Sequence, residues 1–155
     1  MLHLSSGWNG LHPLVIHFPI ALLLLAPLFV LLGAVLQSER RRIFLISALL
    51  LILGTASLYV ATQTGHAACR QHQFSTQANA VLLEHRALAD ETRTMFTMVT
   101  ALCCLMLLVT LRFRVKIVEL APVLPIAFLV FYAIGIALLL STAYRGALLV
   151  HKFGL

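Results

Sequence analysis

The segment from His12 to Gln37 reads HPLVIHFPIALLLLAPLFVLLGAVLQ and contains no Asp, Glu, Lys or Arg. One such charge at the centre of a bilayer costs about 2.5 to 3.5 kcal/mol on insertion scales, so an uncharged run of this length is typical of a membrane span. No basic segment precedes it, and it exceeds the apolar part of a secretory signal peptide. We therefore expect this span to remain in the mature protein, starting at Pro13 and bending at Pro19 and Pro27.

Three further runs without Asp, Glu, Lys or Arg follow the first. They extend from Ile43 to Cys69, from Thr94 to Leu111 and from Leu120 to Tyr144. Each approaches or exceeds the roughly 17 to 25 residues that a spanning helix needs. The sequence therefore predicts spans at about residues 13–37, 43–64, 92–111 and 122–150. No linker or repeat divides the chain, so residues 1–155 are predicted to form one domain, an all-α integral membrane four-helix bundle.

Two details of these helices follow from single residues. Gly65 is expected to end the second helix, because glycine is favoured just past a helix terminus. The stretch from Thr76 to Arg93 has a helical composition but carries charged side chains. Two arrangements remain open for it: one long helix that projects from the bilayer, or a short interfacial helix that turns into the third span.

The overall composition favours the same class. Of the 155 residues, 61% are hydrophobic and 10% are charged, whereas soluble domains have about half and about a quarter. The formal net charge is +6, but the basic residues are spread between apolar blocks and form no face that could follow a phosphate backbone. The composition excludes nucleic-acid binding and makes the lipid bilayer the expected partner.

With four consecutive spans, all histidines fall on one side of the membrane. The start of the first span, the end of the second, the start of the third and the end of the fourth must emerge together. The seven histidines lie at or beyond these ends: His3, His12, His17, His66, His72, His85 and His151. The connections on the opposite side carry compact basic clusters, namely Arg40, Arg41 and Arg42, and Arg112, Arg114 and Lys116. The positive-inside rule places these clusters in the cytoplasm and both termini outside.

Imidazoles inside a bilayer need partners, because lipid solvates a polar ring poorly. His17 lies among apolar residues, about 6 Å below the start of the first span. His12 is about 140° away on a straight helix, so the two rings cannot face one point, and with His17 turned inward His12 has another role. His85 is the facing candidate, on a stripe with Thr92 and Phe96. One histidine from each of two helices is the ligand set of a six-coordinate b-type haem, and we expect one haem b.

Neighbouring residues fit such a group. Small residues on the other helices would let a flat macrocycle or a neighbouring backbone come close: Gly54, Ser57, Gly135 and Gly146. The same residues are also ordinary packing positions in membrane helices. The arginines expected to hold the haem propionates are Arg145, Arg93 and Arg86.

Two alternatives keep the histidines and remove the haem. The first is a copper or zinc site for binding or transport that draws on His12, His17, His66 and His85. The second is a non-catalytic structural subunit of a membrane complex, in which the histidines bond to neighbouring helices or lipid headgroups. No nucleophile elbow, phosphate loop or HExxH motif occurs in the sequence. If the chain takes part in catalysis, we therefore expect a redox subunit rather than a stand-alone enzyme.

Several sequence blocks resemble the bacterial membrane proteins of the domain of unknown function 2231 family. The segment HPLVIHFPI, from His12 to Ile20, resembles the opening signature of that family. Further blocks match its TGxxA and EHxxxAxxT patterns and its glycine-rich ending, at Thr64, Gly65 and Ala68, at Glu84, His85, Ala89 and Thr92, and at Gly146, Leu149, Val150 and Gly154. The resemblance spans nearly the whole chain and implies a four-span protein of the bacterial inner membrane.

The resemblance also implies redox work, since some members of that family occur fused to or beside Rieske or cytochrome c modules. Carried over to this chain, that role falls on His17 and His85. The expected function is a b-type-haem membrane subunit that exchanges electrons with a quinone, or with another membrane or periplasmic redox subunit. Both termini and the haem are expected at the periplasmic face.

Overall fold

A computed structural model of the chain describes residues 12–69, 75–113 and 123–153. Its long helices are α2 (His17–Val35), α3 (Arg40–Cys69), α4 (Thr76–Phe113) and α5 (Val123–Phe153). A short helix α1 (His12–Val15) precedes them, and a 3-10 turn (Gln37–Glu39) joins α2 to α3. The described residues contain no strand, which confirms the predicted all-α bundle. His3, His72, Arg114, Lys116 and the predicted first residue of the last span lie outside the described residues.

The helices have the length and apolar composition of membrane spans. Three of them could cross a membrane by these criteria, over Arg41–Ala67, Thr76–Val109 and Ala127–Phe153, and α2 contributes a shorter apolar stretch, His17–Gly33. Large apolar side chains are exposed on the outside of the bundle, for example Leu28, Val35 and Leu108. Such a surface would be unfavourable in water and is the normal exterior of a protein in lipid. The chain is a multi-pass membrane protein.

One helix boundary differs from the sequence prediction, and one alternative that the sequence left open is decided. Gly65 does not end a helix, because α3 continues to Cys69. The charged stretch before the third span belongs to one continuous helix, α4, of 38 residues. At about 1.5 Å per residue α4 is about 57 Å long, well over a hydrocarbon core of about 30 Å. The length of α4 therefore allows its first five turns, Thr76 to Arg93, which include all of its charged side chains but Arg112, to extend beyond that core.

The helices pack as two antiparallel pairs. Helix α2 packs mainly on α3 and α4 mainly on α5, while α3 joins the two pairs through α4. The centre of the bundle is filled by apolar side chains from every long helix, including Leu23, Leu51, Phe96, Val99 and Tyr132. A Cβ at Gly54 would lie 2.7 Å from Leu23 Cδ2. Glycine is therefore what lets α3 approach α2 this closely.

A proline in α2 determines how α5 is attached. Pro27 lies inside α2, and because proline has no amide hydrogen, the Leu23 carbonyl four residues earlier loses its helical donor. The Tyr132 hydroxyl of α5 donates to this carbonyl at 2.6 Å, and the Tyr132 side chain is buried. Lipid offers no replacement donor. Tyr132 thus supplies the hydrogen bond that Pro27 removes, and it links α2 to α5.

We expect Tyr132→Phe to destabilise the bundle by about 1 to 3 kcal/mol, because it leaves the buried Leu23 carbonyl without a donor. The measurement is the unfolding midpoint in detergent, with helix content followed by circular dichroism. Tyr144→Phe is the matched control, since Tyr144 lies on the same helix and its side chain is 63% exposed. Equal stability of the two variants would show that the Tyr132 hydroxyl contributes nothing.

Candidate functional site

The inward face of the first hairpin is marked by small residues at intervals of seven. Pro19 and Gly33 are buried, as is Ala26 between them. Residues seven apart on an α-helix lie within about 20° of each other, so this series defines one stripe. His12 continues the stripe one interval before Pro19, whereas His17 lies about 160° from Pro19. The spacing of seven thus directs His12, not His17, toward the bundle.

The observed exposure agrees with this stripe and reverses the predicted orientation of the two histidines. His17 is exposed on the outside of α2, and His12 is half-buried against α3. Ile16 separates α1 from α2 but keeps helical dihedral angles, with φ −63° and ψ −24°. Pro19 accounts for the interrupted helical hydrogen bonding there, because it cannot donate to the Val15 carbonyl four residues earlier. The sequence placed His17 inside the bundle because a polar ring among apolar residues needs a partner, but His17 lies on the outer face together with its exposed neighbour Phe18.

Helix α3 holds the His12 ring in one orientation. The ring Nδ1 lies 3.1 Å from the Thr64 hydroxyl oxygen. That hydroxyl donates its own hydrogen to the Ala61 carbonyl at 2.9 Å, so its oxygen accepts from His12 Nδ1–H. A Cβ at Gly65 would lie 3.0 Å from His12 Cε1. The glycine provides the space for the ring, and the threonine fixes the proton on Nδ1.

Helix α5 holds the His85 ring in the same manner. Its Nδ1 lies 3.0 Å from the Thr142 carbonyl oxygen, which can only accept a hydrogen bond. A Cβ at Gly146 would lie 3.2 Å from His85 Cε1. The Thr142 hydroxyl forms a hydrogen bond of 2.9 Å with the hydroxyl of Thr92, which is buried on α4 two turns after His85. Each helical hairpin, α1–α3 and α4–α5, therefore contains one imidazole that packs against a glycine. In both rings these hydrogen bonds assign the proton to Nδ1 and leave the lone pair on Nε2.

The two histidines lie within electrostatic reach of each other at the same end of the bundle. Burial lowers the pKa of His12 below its ordinary value, the nearby His85 lowers it further, and a hydrogen bond to the Ala61 carbonyl acts in the opposite direction. A lowered pKa keeps His12 neutral at pH 7. The neutral imidazole is the form that binds a metal.

Two of the predicted anion-binding arginines already have carboxylate partners. Arg145 of α5 forms an ion pair of 3.0 Å with Glu84 of α4, and both side chains are partly exposed. Arg93 forms an ion pair of 3.0 Å with Asp90 on its own helix. Its guanidinium carbon also lies 5.4 Å from the centre of the Tyr59 ring on α3. Arg145 therefore links α5 to α4, and Arg93 contacts α3, both at the histidine end of the bundle.

Arg86 differs from these two arginines. Its Nε atom is buried and has no hydrogen-bond partner among the residues that the structure describes. Arg86 follows His85 directly on α4, so this buried donor belongs to the same end of the bundle as the histidine pair.

The remaining predicted ligands are not gathered around this pair. His66 follows Gly65 on α3 and is half-buried, while His17 is exposed on α2. Within residues 12–69, 75–113 and 123–153, no group of three or more His, Cys, Asp or Glu side chains could hold a metal ion. The described residues thus offer a pair of oriented imidazoles rather than a cluster of three or four ligands.

A shallow groove of about 440 Å³ runs beside this site on the outer face of α3. The groove is open rather than enclosed, and its lining is mostly apolar. The lining residues all lie on α3: Tyr59, Val60, Gln63, Thr64 and Ala67. Thr64 is shared between the groove and the His12 hydrogen bond. The groove therefore lies one side chain away from His12.

The site residues sit within the part of the chain that matches a known family. The family model described as "Predicted membrane protein (DUF2231)" matches residues 9–155. No curated protein and no solved structure matches the chain. Both oriented histidines, their glycines and the threonines that hold them lie inside the matched range, together with all four long helices. The chain belongs to the DUF2231 family of predicted membrane proteins.

Proposed function

We propose that this protein is a membrane electron-transfer subunit that binds one b-type haem, which His12 and His85 would hold. The observation that carries the proposal is the state of the two rings. Both are held through Nδ1–H, by Thr64 and by the Thr142 carbonyl. Ligand histidines in metalloproteins are commonly oriented through the second ring nitrogen in this way, which leaves Nε2 for the metal. This pair replaces the sequence-based pairing of His17 with His85.

The residues present fit a haem better than a copper or zinc ion held by protein ligands alone. A protein zinc site ordinarily has three or four protein ligands, and no such group occurs among the described residues. A b-type haem would need only two protein ligands and would supply a one-electron carrier when bound. The two hairpins supply one imidazole each, and they join mainly through α3 and α4.

The chain's own residues would orient such a group and limit its access to water. Gly65 and Gly146 leave room for the imidazoles to lie close to the helix backbones. Arg145 and Arg93, paired with Glu84 and Asp90, place charge at the histidine end that can also face the propionates. The apolar core includes Phe96, which is fully buried about three turns after His85 on α4.

The groove on α3 supports a lipid-soluble quinone as the electron-exchange partner. It opens toward lipid, its lining is mostly apolar, and Thr64 links it to His12. A periplasmic or membrane redox protein is the other partner class that this end of the bundle could serve. The proposal keeps the histidine end at the periplasmic face of the bacterial inner membrane. This orientation in the membrane rests on the basic residues at the opposite end of the bundle, where Arg40, Arg41 and Arg42 begin α3.

The experiment is an absorbance spectrum of the protein purified in mild detergent, recorded oxidised and then reduced, with iron, copper and zinc measured in the same sample. We expect the reduced-minus-oxidised spectrum of a six-coordinate b-type haem and about one iron per chain. A sample without haem bands but with stoichiometric copper or zinc would favour the metal-site alternative. A sample with neither, even after haem is supplied, would leave the structural-subunit alternative.

A further inference from the structure

The charges at the histidine end do not balance within the described residues. The chain has five acidic residues: Glu39, Glu84, Asp90, Glu91 and Glu119. Glu39 pairs with Arg42 at the far end of the bundle, and Glu84 and Asp90 pair with Arg145 and Arg93. Glu91 is exposed on the outside of α4, and Glu119 lies outside the described residues. Arg86 is left without a carboxylate among the described residues.

Burial makes this imbalance significant. The Arg86 Nε has essentially no contact with solvent and no acceptor among the residues described. A buried polar N–H without an acceptor costs about 1 to 3 kcal/mol, and more when the group is charged. A snorkelling arginine avoids this cost by placing its whole guanidinium in the headgroup region. The Nε–H of Arg86 is therefore a buried donor that none of the described residues satisfies.

Helix geometry places Arg86 beside the histidine pair. It is adjacent to His85, and it lies one interval of seven before Arg93, within about 20° of the same direction around α4. Arg93 packs over Tyr59 of α3. Arg86 is therefore on the α3 side of α4, and α3 is the helix that carries Gly65 and Thr64 against His12. A ligand between His12 and His85 would lie within reach of this side.

We propose that Arg86 binds a carboxylate of the cofactor held between His12 and His85, so that the site selects an amphiphilic ligand with anionic groups at its outer edge. This inference rests on the proposed haem function. It adds the chemical class of group that the pocket recognises. A bare metal ion would leave Arg86 without its acceptor.

The test compares two ligands that differ only in this group. Protein expressed without haem is titrated in a neutral detergent, free of phospholipid, with haem and with haem dimethyl ester, whose carboxylates are blocked. We expect the wild-type chain to bind haem at least about 10-fold more tightly than the diester, the effect of one charge-assisted hydrogen bond. Arg86→Gln is expected to lose most of this preference, and the remainder is expected to come from Arg145 and Arg93.

Lys152→Gln is the matched control. It removes one positive charge from the same end of the bundle, and Lys152 is exposed near the end of α5. We expect it to keep the wild-type preference for haem. If Arg86→Gln does not fold, Arg86→Lys decides. It keeps the positive charge but removes the Nε–H donor, so we expect a preference weaker than that of the wild type. The full wild-type preference in Arg86→Lys would contradict the inference.

The outcomes separate this inference from the proposed function. A wild-type chain that binds neither ligand overturns both. A wild-type chain that binds haem and its diester equally, or an Arg86→Gln variant that discriminates as the wild type does, overturns only the role of Arg86. An anionic phospholipid that raises the unfolding temperature of the ligand-free wild type, but not of Arg86→Gln, would assign the anion to a lipid headgroup and also overturn it.

Discussion

His12→Asn and His85→Asn are each expected to abolish the haem absorbance bands, whereas His17→Asn leaves them at the wild-type level. The Asn side-chain amide can take the place of imidazole Nδ1–H and donate to Thr64 or to the Thr142 carbonyl, so each substitution removes Nε2 and keeps the interhelical bond. Either variant would leave only one histidine to hold a haem, so we expect the six-coordinate spectrum to disappear and the haem to be lost during purification. His17 is exposed and serves as the matched control.

The measurement is the haem content per chain and the reduced spectrum of each variant, at equal amounts of folded protein. Size-exclusion behaviour and helix content establish that each variant is folded. Loss of the bands in His17→Asn with retention in His12→Asn would contradict the pair proposed from the structure and would restore the pair predicted from the sequence. Retention in all three variants would place any haem elsewhere.

Gly65→Val and Gly146→Val are expected to lower the affinity for haem about 10- to 100-fold, the range typical of a displaced ligand support. A Cβ at these positions would lie 3.0 Å from His12 Cε1 and 3.2 Å from His85 Cε1. The two further methyl groups of valine would push each ring away from its helix and out of its hydrogen bond. The measurement is haem titration of the ligand-free variants.

Gly135→Ala provides the control for general packing damage. A Cβ at Gly135 would lie 3.1 Å from Phe96 Cζ in the apolar core, away from both histidines. We expect this variant to unfold at a lower temperature and to bind haem with nearly unchanged affinity. If Gly65→Val and Gly146→Val behave in the same way as Gly135→Ala, the glycines serve only helix packing.

Part of the site could be read from the sequence, and part could not. His85 was expected to face another helix, and it does contact α5. Thr142, whose carbonyl orients it, gave no signal, because any residue type supplies a carbonyl. The inward direction of His12 could have been predicted from its spacing of seven residues with Pro19 and of fourteen with Ala26. The apolar residues around His17 gave no information on which side of the helix faces the bundle.

The sequence by itself determined the membrane class, the number of long helices and the end at which the histidines gather. These properties follow from the free energy of placing charges in lipid and from the alternation of sides along consecutive spans. Only the tertiary structure decided which imidazole turns inward, which nitrogen keeps its proton, and which arginine lacks a carboxylate. Those depend on contacts between residues distant in sequence, such as His12 with Thr64 and Tyr132 with the Leu23 carbonyl. Hydropathy fixes the depth of a residue in the bilayer, but the direction of its side chain is fixed by the helix that packs against it.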